Sequence, residues 1–197
     1  MGYGTDFRNR ATFIGMVKSK DRKFDNIDIK RPVVDFETVI IKDDGNIEFS
    51  KVAGVFSQND LARSVSGIAI GEIFQVTGTV HADERQDSSE LYIEIESYHR
   101  ISEKKRSVSI QKSQAELLEW RGSGDMVTFV GQVTEHSGCF ANIKIKRDKL
   151  VRGDLKDYDN ITVDVERFTD IKKGDNVRVV GTLYPEYIKA GCIEKLA

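Results

Sequence analysis

The segment CFANIKIKR, Cys139 to Arg147, sets an aromatic ring and two ammonium groups along one side of an extended chain. Alternate residues of a strand point to opposite faces, so Phe140, Asn142, Lys144 and Lys146 share one face. Cys139, Ala141, Ile143 and Ile145 share the other, and that apolar set must line a core. The outward set carries the chemistry that single-stranded nucleic acid needs: a ring on which a base stacks, and cations that meet phosphates. Arg147, Lys149 and Arg152 extend the charge into the next loop. A plainer reading pairs Lys144 and Lys146 with Asp164 and Glu166 of ITVDVE across two neighbouring strands. Exposed pairs of that kind contribute at most about 1 kcal/mol, so they dilute binding without forbidding it.

Two further segments offer the same chemistry. In YPEYIKAGC, parity turns Ile188, Ala190 and Cys192 inward and leaves Tyr187 and Lys189 outside. Tyr184 and Tyr187 flank Pro185 at the preceding turn. Nearer the start, KSKDRKFDNIDIKRP holds Lys18, Lys20, Arg22, Lys23, Lys30 and Arg31 against Asp21, Asp25 and Asp28, with Phe24 in the middle. This stretch is expected to be a long loop between the first two strands, and long loops are commonly functional. The alternative is a solvated charged arm. HADERQDSSE is acidic and reads as a polar hairpin tip.

Other chemistries are poorly served. Cys139 and Cys192 stand far apart, and the chain has three scattered histidines. They make no C-x-x-C or paired-histidine spacing, so no zinc site is expected and both thiols are read as buried. There is no G-x-S-x-G elbow and no phosphate-binding glycine loop. Asp43-Asp44-Gly45 reads as a hairpin turn, not as a carboxylate cluster. The expectation is a protein without cofactor, metal or catalytic residues.

The elements that position these residues come in two copies. TFIGMV, from Thr12, matches TFVGQV, from Thr128, 116 residues later. AIGEIFQVTGTVH, from Ala69, matches IKKGDNVRVVGTLY: Gly71-Glu72 answers Gly174-Asp175, 103 residues on. Matches in the same order indicate a duplication with a longer interior in the first copy. The apolar period within each copy is two, which means strands. They are predicted near 11–20, 33–42, 46–56, 72–81 and 90–101, then near 126–135, 139–147, 160–167, 175–183 and 186–194. SQNDLARSVSG, with Ser57 and Asn59 as caps and Gly67 as stop, predicts a short helix between the third and fourth strands of the first copy. Five strands on this plan make an OB-fold, a small Greek-key barrel. Gly15 and Gly131 are expected to mark bulges in each first strand, and Gly181 a late bend.

The expected architecture is therefore all-β: two tandem OB-fold barrels, 1–104 and 120–197, joined by a helical linker at 105–119. The linker contains SQAELLE, where Ser113 and Glu116 have capping-box spacing, and Trp120, which follows it, is placed to wedge the barrels together.

The chain has 197 residues and a net charge of −2, so it is not the basic body that coats duplex DNA. Residues 1–104 hold 14 basic and 18 acidic side chains, and residues 120–197 hold 13 and 12. The second copy is thus the better general binder of nucleic acid. No apolar run approaches the roughly 18 residues of a membrane span. MGYGTDFRNR has no hydrophobic signal region, and Asp6 stands where myristoylation wants Ser or Thr, so a cytoplasmic location is expected.

DNITVDVERFTDIKKGDNVRVVGTLY resembles the carboxyl half of the bacterial and phage single-stranded-DNA-binding proteins. Lys173, Gly174, Val177, Val179, Gly181 and Leu183 fill that family's turn-and-strand pattern, and MVTFVGQV looks like its first strand. The resemblance covers most of the second copy and, more faintly, the ends of the first. It implies single-stranded DNA as ligand and a role in replication, recombination or repair, with a phage or mobile element as the expected source. It also implies replication proteins as partners and assembly into homo-oligomers, part of which an internal duplication would replace. The family's acidic tail has no counterpart in the final GCIEKLA, so recruitment through a tail is not expected. RNA binding and a protein-interaction scaffold are the alternatives.

Overall fold

The first strand, β1 (Arg10–Arg22), is long because it serves three partners. From Ala11 to Met16 it runs antiparallel to β4 (Ile73–Glu84), and from Met16 onward it pairs with β2 (Val33–Ile41). Between these lie β3 (Ile47–Val55), antiparallel to β2, and β5 (Ser89–Arg100), which is parallel to β3 and antiparallel to β4. These pairings close five strands into a ring in OB-fold order. The same pairings recur among β6 (Met126–Ser137), β7 (Phe140–Lys146), β8 (Tyr158–Asp164), β9 (Asn176–Leu183) and β10 (Ile188–Leu196), with β8 parallel to β10 and β6 bonded to both β7 and β9. The computed structural model describes residues 9–22, 31–56, 58–84, 89–101, 110–120, 126–147 and 157–196. The strand ends fall within three residues of those expected.

The repeated segment has a physical explanation. In the first ring Val17 donates to the Glu72 carbonyl at 2.9 Å and Gly71 donates to the Val17 carbonyl at 2.9 Å. In the second, Val133 donates to the Asp175 carbonyl at 2.9 Å and Gly174 to the Val133 carbonyl at 2.8 Å. Each acid then closes its own turn: Glu72 Oε2 accepts the Ala69 amide at 2.8 Å, and Asp175 Oδ2 accepts the Lys172 amide at 2.8 Å. Gly71 and Gly174 adopt φ of +88° and +94°, a region other residues enter at a cost. Further along, a Cβ at Gly78 would lie 2.0 Å from the Glu94 carbonyl oxygen, and one at Gly181 2.4 Å from that of Lys189. The Gly-Thr pair recurs because backbones pass too closely there for any side chain.

The two rings meet through β1 and β6, which pair antiparallel as Arg10 with Thr128, Ala11 with Val127 and Thr12 with Met126. Under the 116-residue offset Arg10 is the counterpart of Met126 and Thr12 that of Thr128. The contact is therefore symmetric about Ala11 and Val127, as in an isologous dimer interface written within one chain.

Several local expectations are corrected. The register breaks in the first strands fall between Val17 and Ser19 and between Val133 and Glu135, two residues beyond Gly15 and Gly131. At Gly15 a Cβ would sit 2.8 Å from that of Phe36, so close packing is what excludes a side chain there. In α1 (Asn59–Ser64) Asn59 is the first helical residue, and Gln58, in the cap position, makes no side-chain cap bond; Ser57 lies outside the described residues. A single 3₁₀ turn, Val65–Gly67, ends this segment at the expected glycine. Helix α2 (Ile110–Glu119) starts three residues before Ser113, which is buried against Gly71 instead of capping. Its Leu117 packs with Ile14, Met16, Val39 and Ile73 on the outer face of the first ring. Trp120 follows the last helical residue, is 41% exposed, and is no wedge.

Both cysteines are exposed and free. Cys139 lies in the turn between β6 and β7, and a bulge between Ala190 and Cys192 reverses the parity of β10, so that Ile193 packs against the core instead.

Candidate nucleic-acid interface

Strand β7 has the alternation expected of it: Ala141, Ile143 and Ile145 are buried, and Phe140, Lys144 and Lys146 are exposed. Its neighbour β8 sets the register Phe140–Asp164, Asn142–Thr162, Lys144–Asn160 and Lys146–Tyr158. The lysines therefore do not face Asp164 and Glu166, and the cross-strand ion pairs are absent because the register differs from the one assumed. Among the described residues neither lysine is in an ion pair; Lys144 Nζ lies 4.0 Å above the Tyr158 ring.

At the other end of this face three rings gather. Pro185 and Glu186 make a short turn closed by the Tyr184 amide on the Tyr187 carbonyl at 2.9 Å. That turn stacks Tyr184 on Tyr187, centroids 4.8 Å apart and planes 6° from parallel. Tyr187 in turn meets Phe140 edge to face at 5.8 Å. Burial, followed by the neighbouring Tyr187 for Tyr184 and by Asp164 for Tyr187, holds both tyrosine hydroxyls above their ordinary pKa, so they are neutral donors at pH 7. With Phe140 44% and Tyr158 45% exposed, the face carries rings at both ends and polar or cationic groups between them. Six residues of strand separate Phe140 from Lys146, about 20 Å.

The remaining expected residues are placed differently. Lys189 Nζ bonds Asp43 Oδ2 at 2.9 Å, beside the tyrosines. Arg147 is committed to Asp159: its Nε bonds Oδ2 at 2.7 Å, and its Nη2 bonds Oδ1. It shares the inward parity of Ile143 and Ile145 and is not available to a phosphate. Lys18, Lys20 and Arg22 belong to β1, not to a loop. Lys18 pairs with Glu37 at 2.9 Å, Lys20 donates to the Ile68 carbonyl at 2.6 Å, and Arg31 pairs with Glu94 at 3.7 Å. The Arg22 side chain, and all of Lys23, Phe24, Lys30, Lys149 and Arg152, lie outside the described residues.

A buried polar cluster between the rings is the feature that sequence reading missed. Asp159, 1% exposed, accepts from Arg147, from His81 Nδ1 at 2.8 Å and from the Ala82 amide at 3.3 Å. His81 Nε2 lies 3.0 Å from Thr79 Oγ1 and 3.4 Å from Glu94 Oε2, and its ring stacks on Tyr92. Burial alone would push the His81 pKa down, but the bonds to Asp159 and Glu94 outweigh it and the pKa is raised. Burial would likewise raise Asp159, yet His81 and Arg147 hold it below the ordinary range.

No protein-family model matches the chain, and no curated protein matches it in sequence. Among solved structures, the wild-type single-stranded DNA binding protein from Thermus aquaticus matches with a TM-score of 0.58. The match covers 96% of this chain and 93% of that one at 12% identity. The chain shares its fold with a single-stranded-DNA-binding protein. A deletion variant of the same Thermus protein gives a TM-score of 0.59 at 12% identity, over 96% of this chain and 94% of that one. The resemblance expected from the second copy thus extends, as a likeness of fold, along nearly the whole chain. Among the described residues no helix is long and apolar enough to cross a membrane, and no group of His, Cys, Asp and Glu side chains is arranged to hold a metal ion.

Proposed function

We propose that the chain is a tandem OB-fold protein, with barrels at 1–104 and 120–197, that binds single-stranded DNA without catalysis on the outer face of β7 and β8. The run of Tyr184, Tyr187 and Phe140, continued by Lys144 and Lys146, which enter no ion pair among the described residues, is the observation that carries this reading. Bases stack on the rings while the lysines neutralise phosphates, which keeps the strand from re-annealing. The first barrel serves as scaffold. Its outer face beside β1 and β2 lies under α2, where Gln114 donates to Glu37 at 2.7 Å and Lys18 pairs with the same carboxylate. Replication, recombination or repair is the setting in which such binding is used, with a phage or mobile element as source and replication proteins as partners.

Titration of a fluorescent dT oligomer of about 30 nucleotides, beside duplex DNA and poly-U, tests the reading. Binding should favour the DNA single strand and weaken with salt, with a log–log slope of about −0.7 per neutralised phosphate. Lys144→Ala with Lys146→Ala should flatten that slope by about 1.4. No single-strand binding at low salt contradicts the proposal; equal or tighter binding of poly-U makes RNA the ligand.

A further inference from the structure

The turn between β2 and β3 reaches from the first ring onto the candidate interface of the second. Asp44 fixes it by accepting the Asn46 amide at 2.9 Å, and Gly45 donates to the Lys42 carbonyl at 2.9 Å. Asp43, beside Asp44 in that turn, places one carboxylate oxygen, Oδ2, 2.7 Å from Arg167 Nη2 and 2.9 Å from Lys189 Nζ. Both cations come from the second ring. Lys189 sits beside Asp164 on β8, and Asp164 sits beside Phe140 on β7. Asp164 itself accepts the Glu166 amide at 3.1 Å, which leaves Asp43 as the carboxylate bonded to the two cations.

Two converging donors, one a guanidinium and one an ammonium, beside a stack of half-buried tyrosine rings match what a phosphodiester requires. We infer that Arg167 and Lys189 form a phosphate subsite of the single-strand interface, and that Asp43 occupies it as an internal phosphate mimic until DNA displaces it. The inference rests on the binding face proposed above. Asp43, Arg167 and the turn are exposed, so release into water needs no opening of the core. Exposed ion pairs are weak, which makes Asp43 a modulator of affinity and not a lock. Arg167 was not among the binding residues expected from sequence: it stood at the end of the strand predicted near 160–167, whereas β8 ends at Asp164 and a turn carries Arg167.

The test compares dT-oligomer binding by the full chain as wild type, Asp43→Asn, Arg167→Gln with Lys189→Gln, and all three together. Asp43→Asn should tighten binding about three- to tenfold at low salt, the range that two exposed ion pairs represent. Its salt slope should steepen, since salt weakens the competing Asp43 ion pairs of the wild type along with the phosphate contact and the variant has no such competitor. The gain should vanish in the Arg167→Gln, Lys189→Gln background. Equal affinity and slope for wild type and Asp43→Asn overturns the inference while leaving the binding face standing. So does a gain that survives without Arg167 and Lys189, because it would reflect removal of negative charge at large. Failure of both wild type and Asp43→Asn to bind at low salt overturns the inference together with the reading beneath it.

Discussion

Replacing Asp159 with alanine should lower the stability of the fold by about 3–5 kcal/mol, the cost of removing one partner from a buried ion pair. Its carboxylate is the common acceptor for Arg147, His81 and the Ala82 amide, and without it the guanidinium and the imidazole Nδ1 lose that carboxylate inside a buried site. Urea unfolding reads the loss as a lower midpoint. A loss under about 1 kcal/mol would mean that the cluster is solvated and does not tie the rings together. The pH dependence has a definite sign. His81 is raised above its ordinary 6.5, so its contribution is complete below that value and is lost as pH rises through the higher folded-state pKa. Asp159 is depressed below its ordinary 3.8, so its contribution is complete above that value and is lost as pH falls through the lower folded-state pKa. The groups that face His81 are Asp159, Glu94, Arg147 and Tyr92. The cluster's contribution should therefore be greatest between the ordinary values 3.8 and 6.5 and fall as pH rises through the folded-state pKa of His81, and the alanine variant should show less of that fall, since Glu94 still faces the ring.

The second large effect concerns binding. Phe140→Ala with Tyr187→Ala should raise the dissociation constant for a dT oligomer at least about thirtyfold, since each stacked base is worth about 1–3 kcal/mol. The two rings touch, so the double variant should differ from the product of the singles. The salt slope should stay as it was, because no phosphate contact is removed. Phe140 is exposed at the start of a strand, so its loss should cost little stability. A change under about threefold at unchanged stability would place the bases elsewhere.

Parity decided how much of this was legible. The strands and their faces could be read because alternation over β7 and β9 is nearly uninterrupted. That same parity put Arg147 in the inward row with Ile143 and Ile145, and Asp159 in the inward row with Ile161 and Val163. An arginine and an aspartate both at inward positions must find each other or another partner, and that signal was present in the sequence. It was overlooked because charge in a basic segment invites a ligand reading. His81 was harder to find: it is buried only because the second ring covers the outer side of β4, and no local pattern reports such cover. The register of β7 on β8 was also out of reach, since an intervening loop of unknown shape sets it. The bulge in β10 that turned Cys192 outward carries no mark either.

The most direct test of the binding face is photo-crosslinking of the wild-type protein to a dT oligomer, followed by mass-spectrometric location of the adducts. Adducts should form at Phe140, Tyr187 or Tyr184 on the second ring. Adducts confined to the first ring, for example at the exposed Phe49, would contradict it and move the interface to the part of the chain read here as scaffold.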